Sequence, residues 1–248
     1  MDEPRGTYPT NPGSSIPTRR TSPEDWDGSG DYFPAPLDLP RSGRLRFTNG
    51  AHRIVIQANS RLRGLYRARL GDRMSIIGVL RGIVTIQIPR FSGGDWLNDW
   101  SGRLAEVELN ASIPWDVEVR GGASRLLVDL SGLCLGSLKV DGGASRLEVV
   151  LPAPSGIVTM VILGGASNVA IRRPEGVAAR LRVDGGATNL TFDYRHIGVA
   201  GGVLDLQSGD YDGAADRYDI AVTGGANNLS IDKQRGSRGG ASFDREGK

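Results

Sequence analysis

The feature that most restricts what this chain can fold into is a short repeat. Gly121-Gly122-Ala123-Ser124-Arg125-Leu126 returns as Gly142–Leu147 and drifts to Gly164-Gly165-Ala166-Ser167-Asn168-Val169 and Gly185-Gly186-Ala187-Thr188-Asn189-Leu190. It reappears at Gly224–Leu229. The first four copies begin 21, 22 and 21 residues apart. Two residues before each glycine pair stands a β-branched residue (Val119, Val140, Ile162, Val183, Val222), and two before that another apolar one. After the pair the alternation resumes, as in Leu126/Val128/Leu130 and Leu147/Val149/Leu151. Period-two alternation on both sides of a fixed glycine corner predicts a half-buried strand, a bend and a second half-buried strand. Paired glycines suit a bend where positive φ or close backbone approach excludes a Cβ. So small a unit cannot bury its own apolar face and must stack on its neighbours.

The expected fold is therefore all-β, a single-stranded parallel β-solenoid (β-helix) with rungs of about 20–22 residues. Its corners fall at Gly121/Gly122, Gly142/Gly143, Gly164/Gly165, Gly185/Gly186 and Gly224/Gly225. A leucine-rich repeat would need a helical segment for which no unit has room. A calcium-binding nonapeptide would place an aspartate where Leu126 and Leu147 stand. The series Ser124, Ser145, Ser167, Thr188 and Asn227 reads instead as a ladder of small polar side chains bonding between rungs.

Three regions follow. Residues 1–40 hold eight of the thirteen prolines, and such a segment buries too little apolar surface to offset chain entropy, so a disordered acidic tail is expected. Within it, aromatics sit among carboxylates at Asp25-Trp26-Asp27 and Asp31-Tyr32-Phe33, as a docking motif or a plain spacer. Residues 41–233 form the core, with irregular basic rungs over 41–110 and regular ones over 111–233. Asn49-Gly50-Ala51 is a degenerate corner, and Tyr66–Leu70 and Ile83–Ile88 alternate as strands. Pro89 lies 63 residues before Pro152, which suggests that the register persists through the irregular part. A basic amphipathic helix over Arg61–Arg73 competes, but Gly64 and Gly71 interrupt it. Phe91–Ser101 departs from the pattern, with Trp96 and Trp100 either plugging the flank or forming a contact surface. Gly201-Gly202-Val203-Leu204 is a degenerate rung, Asp210–Gly213 a turn with exposed carboxylates, and residues 234–248 a flexible tail.

Chemistry is sparse. His52 and His196 do not form a zinc-ligand spacing, and there is no phosphate-cradling glycine loop or nucleophile elbow. No catalytic, cofactor-binding or metal-binding residue is assigned, and no cofactor or small-molecule substrate is implied. Asp129, Asp141 and Asp184 raise the alternative of a carbohydrate-active β-helix enzyme. Against it, Asp141 and Asp184 share their repeat position with Arg120, Leu163 and Thr223, as a solvated face would. Cys134, the one cysteine, has apolar flanks that predict a buried thiol. The N-terminus lacks the features of a signal peptide and no run approaches the ~18 apolar residues of a membrane span, so a cytoplasmic location is expected. Charge says more. Residues 41–90 carry eleven arginines against Asp72, and residues 191–232 carry seven aspartates against Arg195 and Arg217. The net charge of +2 thus hides a basic early end and an acidic late end. Arg61, Arg63, Arg67 and Arg69 are the candidates for an anionic surface, lipid or nucleic acid.

The Gly-Gly-Ala-Ser-x-Leu rungs, the prolines at strand ends (Pro152, Pro174) and Asp212–Asp219 resemble actinobacterial-type β-solenoid proteins. More loosely they are similar to adhesin and cell-wall-stress-regulator β-helical domains. The layout of proline-rich tail, compact core and short tail is also similar to bactofilins, which polymerise. The resemblance implies no catalytic residues. A structural or protein-interaction module that recruits an unspecified protein partner is expected, and the unpaired strand edges of a solenoid with oppositely charged ends predict end-to-end assembly into oligomers or filaments. Anionic-surface binding is the alternative.

Overall fold

The computed structural model describes residues 39–49, 51–71, 75–88 and 104–234. The expectations for the two tails and for Phe91–Ser101, Trp96 and Trp100 included, fall outside these residues. Among the described residues there is no helix, and eighteen strands form two nine-stranded sheets, A and B.

The building unit is a strand in sheet A, a corner, and a strand in sheet B. In chain order these pairs are β1 (Gly43–Thr48) and β2 (Ala51–Asn59), β5 (Ile83–Gln87) and β6 (Leu104–Asn110), β7 (Pro114–Arg120) and β8 (Ala123–Asp129), and β9 (Cys134–Asp141) and β10 (Leu147–Val150). They continue with β11 (Ile157–Leu163) and β12 (Ala166–Pro174), β13 (Ala178–Asp184) and β14 (Ala187–Phe192), and β17 (Arg217–Thr223) and β18 (Ala226–Gln234). Two further pairs run the opposite way, from sheet B to sheet A: β3 (Tyr66–Leu70) to β4 (Ile76–Leu80), and β15 (Arg195–Ala200) to β16 (Val203–Gln207).

Alternation explains each element. On β7 the side chains of Trp115, Val117 and Val119 are buried while Asp116 and Glu118 face outward. On β11 Val158, Met160 and Ile162 turn inward. Facing strands of sheet B contribute Leu126 and Val128, Leu147 and Val149, and Val169 and Ile171. One continuous apolar core thus runs between the sheets from Leu45 to Ile231, each buried aliphatic side chain contributing about 1.5–3 kcal/mol.

The winding differs from the sequence expectation in two respects. The stack is not in chain order: β1/β2 lies between β5/β6 and β7/β8, and β17/β18 lies between β11/β12 and β13/β14. Nor is it parallel throughout. At one end β3 pairs antiparallel with β6 and β4 with β5, and at the other β15 pairs antiparallel with β14 and β16 with β13. Pro89, from which a register with Pro152 is inferred, lies outside the described residues.

The glycine corners record the true order. A Cβ on Gly122 would lie 2.7 Å from the Gly142 carbonyl oxygen, and one on Gly143 2.8 Å from that of Gly164. The next contacts run from Gly165 to Gly224 and from Gly225 to Gly185, so the late-coming rung is wedged in before Gly185. Gly122 and Gly143 also have φ of 75° and 79°, so both space and conformation exclude a side chain.

Candidate functional site

The arginines singled out in the sequence gather at the early end of the stack. Arg61 and Arg63 lie in the turn between β2 and β3, both exposed. That turn is held by Asn110, a buried side chain whose Nδ2 donates to the carbonyls of Leu62 and Gly64 at 2.8 Å. Arg67 and Arg69 point outward from β3, 3.5 Å from Glu108 and Glu106 on β6. Arg44 meets Asp116 at 3.1 Å, and Arg46 and Arg120 both bond Glu118, at 2.8 and 2.7 Å. Burial pushes the Glu118 pKa up, but the hydrogen bonds from Arg120 and Arg46 outweigh it and hold the carboxyl below its ordinary value. Four of these early arginines, Arg44, Arg46, Arg67 and Arg69, thus pair with carboxylates of β6 and β7, which only the stacking brings alongside.

The three aspartates considered for catalysis are not brought together. Asp129 accepts from the backbone N–H and hydroxyl of Ser131 in a turn after β8. Asp184 bonds Arg182 on its own strand, and Asp141 ends β9 in sheet A. Among the described residues no cluster of three or more His, Cys, Asp or Glu could hold a metal. Cys134 is exposed, correcting the buried thiol: it alternates with the buried Leu133 and Leu135, so its apolar flanks face the other way.

A pocket of about 270 Å³ opens at the late end, where the β14–β15 hairpin meets the loop after β16. Two of its lining carboxylates, Asp193 and Asp210, are engaged by neighbouring groups of the fold. Arg173, fully buried, donates Nε–H to the Val177 carbonyl at 2.9 Å and forks onto both oxygens of Asp193 at 2.8 and 2.9 Å. Asp210 on the rim is held below its ordinary pKa by a hydrogen bond from Ser208, assisted by Lys233 and Arg173.

The glycine corners carry a different pattern along sheet B. The hydrogen-bonded ladder runs one residue beyond the expected serine series. Asn189 donates to Asn228 at 2.9 Å and Asn228 to Asn168 at 2.8 Å, all three with φ of 51° to 55°. In the expected series, Thr188 donates to Asn227 at 2.8 Å. Toward the early end the same position is held by Arg53, Arg125 and Arg146. Arg53 is in register with Arg125, and the Leu126 N–H donates to the Arg146 carbonyl at 2.9 Å. The signal for this column was in the sequence, as the fifth residue of each repeat, but β1/β2 joins it only through the stacking order.

Four strands form the edges: β4 and β16 of sheet A, β3 and β15 of sheet B. On β4, Ile76 and Leu80 are 56% and 60% exposed. Val199 on β15 and Val203 on β16 are 81% and 60% exposed.

These features define an all-β stack of two large parallel-rich sheets. Residues 81–172 match the family model described as the N-terminal domain of toast_rack, DUF2154. The fold is similar to that of a crystal structure described as a "putative cell adhesion protein" from Clostridium sporogenes. The TM-score is 0.63 at 14% identity, covering 82% of this chain and 97% of that one. No curated protein matches.

Proposed function

We propose that the protein is a non-enzymatic interaction module, a β-solenoid-type stack of rungs that assembles end to end through its reversed outermost strands. The carrying observation is β4: Ile76–Leu80 contains neither charge nor proline. Its outer edge has no partner strand among the described residues. Natural edges are usually blunted by lysine, proline or a bulge, because an open ladder templates another chain. The strands at the opposite end, β15 and β16, also expose β-branched side chains. Direction favours their meeting. Both reversed pairs run from sheet B to sheet A, so in a head-to-tail contact β16 of one copy and β4 of the next run the same way, as do β15 and β3. Unlike surfaces meeting in this manner extend into a filament unless rotation closes a ring. The formal charge of +10 for residues 41–90 against −5 for residues 191–232 steers that encounter.

The N-terminal segment regulates the contact in this reading. It joins the core at Pro40, against which a Cβ on Gly82 in the β4–β5 turn would lie 3.0 Å away. The segment carries seven carboxylates against three arginines, a charge complementary to the basic end that Pro40 adjoins. The cell-adhesion description of the similar structure supports an interaction role. The anionic-surface reading through Arg61, Arg63, Arg67 and Arg69 is weaker, since carboxylates already face the last two.

Sedimentation of the full chain, of a form lacking residues 1–38, and of Ile76→Lys/Leu80→Lys, each at low and high salt, tests the proposal. Salt-sensitive oligomers that grow without the tail and vanish with the lysines are expected. A monomer under every condition refutes it.

A further inference from the structure

The column Arg53–Arg125–Arg146 is unusual for this molecule. Several strand arginines elsewhere face carboxylates, as in Arg44–Asp116 and Arg46–Glu118. Here three successive rungs present arginine on arginine, and none has a carboxylate within 4.0 Å among the described residues. Like charges at adjacent strand positions repel, so the column is a line of positive potential with no direct ion pair to neutralise it among the described residues. Arg53 and Arg146 are exposed and Arg125 is half-buried. The line continues along the same edge as Asn168, Asn228 and Asn189, whose amides keep donor and acceptor capacity beyond the ladder bonds. At about 4.8 Å per strand the six positions extend over roughly 24 Å.

What flanks the line narrows the ligand. The next outward column reads Glu106, Val55, Leu127, Glu148, with Val55 in register with Glu106 and Leu127 with Glu148. Val55 and Leu127 are half-buried and form an apolar ledge beside the arginines. Glu106 and Glu148 close its two ends, and Asp141 lies across the glycine corner. A flat anionic membrane would be pressed against these carboxylates. A nucleic acid would find no aromatic side chain in either column on which to stack a base. An extended chain with spaced carboxylates, apolar ring faces and hydroxyl donors meets every group: carboxylate on guanidinium, ring on the Val55/Leu127 ledge, hydroxyl on Glu106, Glu148 and the asparagines.

We infer that this corner strip binds an acidic polysaccharide, laid along the stack axis with its carboxylates on Arg53, Arg125 and Arg146. The strip is separate from the stack ends and does not require their association.

The test uses the full chain and fluorescently labelled polygalacturonate, with neutral dextran, single-stranded oligothymidine and vesicles of anionic phospholipid as competing probes. Binding of polygalacturonate at low salt, weakened by added salt and well above that of the other three, is expected. Arg125→Gln/Arg146→Gln should weaken it by about tenfold or more, and Arg125→Glu/Arg146→Glu should abolish it. Arg61→Glu/Arg63→Glu, in the exposed turn between β2 and β3, should leave it within about twofold, whereas a generic basic surface would lose as much there. The glutamines replace outward side chains, so a native circular dichroism spectrum and unchanged sedimentation are expected and separate this site from the assembling ends. Absence of polygalacturonate binding, equal binding of oligothymidine or vesicles, or equal sensitivity to the Arg61/Arg63 reversal overturns the inference.

Discussion

Arg173 and Asp193 show how a single pair fixes the late end. The guanidinium has no exposed surface, lies 5.7 Å from the centre of the Phe192 ring and spends its fork on Asp193, whose backbone is held at φ 53°. Removing one partner leaves a buried charge uncompensated, so Asp193→Ala should cost about 3–5 kcal/mol in urea denaturation. Replacing both, as Arg173→Met/Asp193→Asn, should cost less than the single change. Glycine positions separate conformation from space. Gly122 and Gly156 share a φ of 75°, but only Gly122 has a neighbouring carbonyl within reach of a Cβ. Gly156→Ala should cost about 1 kcal/mol. Gly122→Ala should cost several times as much, because the rung above must move. Two buried tyrosines set the alkaline limit. Burial pushes the Tyr66 phenol from 10.0 to about 12 and raises that of Tyr218, which donates to the Pro152 carbonyl at 2.7 Å. The neutral phenol is favoured in the fold, so this stabilisation is full below the unfolded value and is lost as pH rises through the folded one. Denaturation midpoints should therefore hold up to about pH 10 and then fall, and Tyr66→Phe should soften the decline.

Among the elements, what was legible in the sequence was local. Alternation and glycine pairs mark β7 to β14 because each strand's face and each corner's φ are decided within a few residues. Rung order was not legible, since any of these strands offers the same ladder and the same apolar face to any neighbour. The long interval between Gly185 and Gly224 did contain a corner at Gly201-Gly202, but it leads backward from β15 to β16, and direction leaves no periodic mark. The ion pairs joining β3 to β6 and β1 to β7 were hidden likewise, because 41 and 72 residues separate Arg67 and Arg44 from Glu108 and Asp116. The wedged position of β17/β18 makes a direct prediction. A chain ended after Ser208 would merely lose its last rung if the winding were sequential. Here β11/β12 and β13/β14 would both lose the neighbour between them. Hydrogen exchange should show protection lost across β13–β16 and kept across β7–β10. Native-like protection of β13–β16 in the truncated chain would contradict the order described.

For the whole molecule, the stack separates where the chain begins and ends from where the structure begins and ends. The outermost strands come from mid-chain, while the first and last core strands lie third from either end. Tension applied through residues 43 and 234 enters at β1/β2 and leaves at β17/β18. Only the three rungs between them, β7/β8, β9/β10 and β11/β12, join these two points. The four outer rungs hang off the line of force, two at each end. A protein tethered at both termini would bear load through its most regular rungs, and its exposed end strands would remain slack and free to engage until the middle parted.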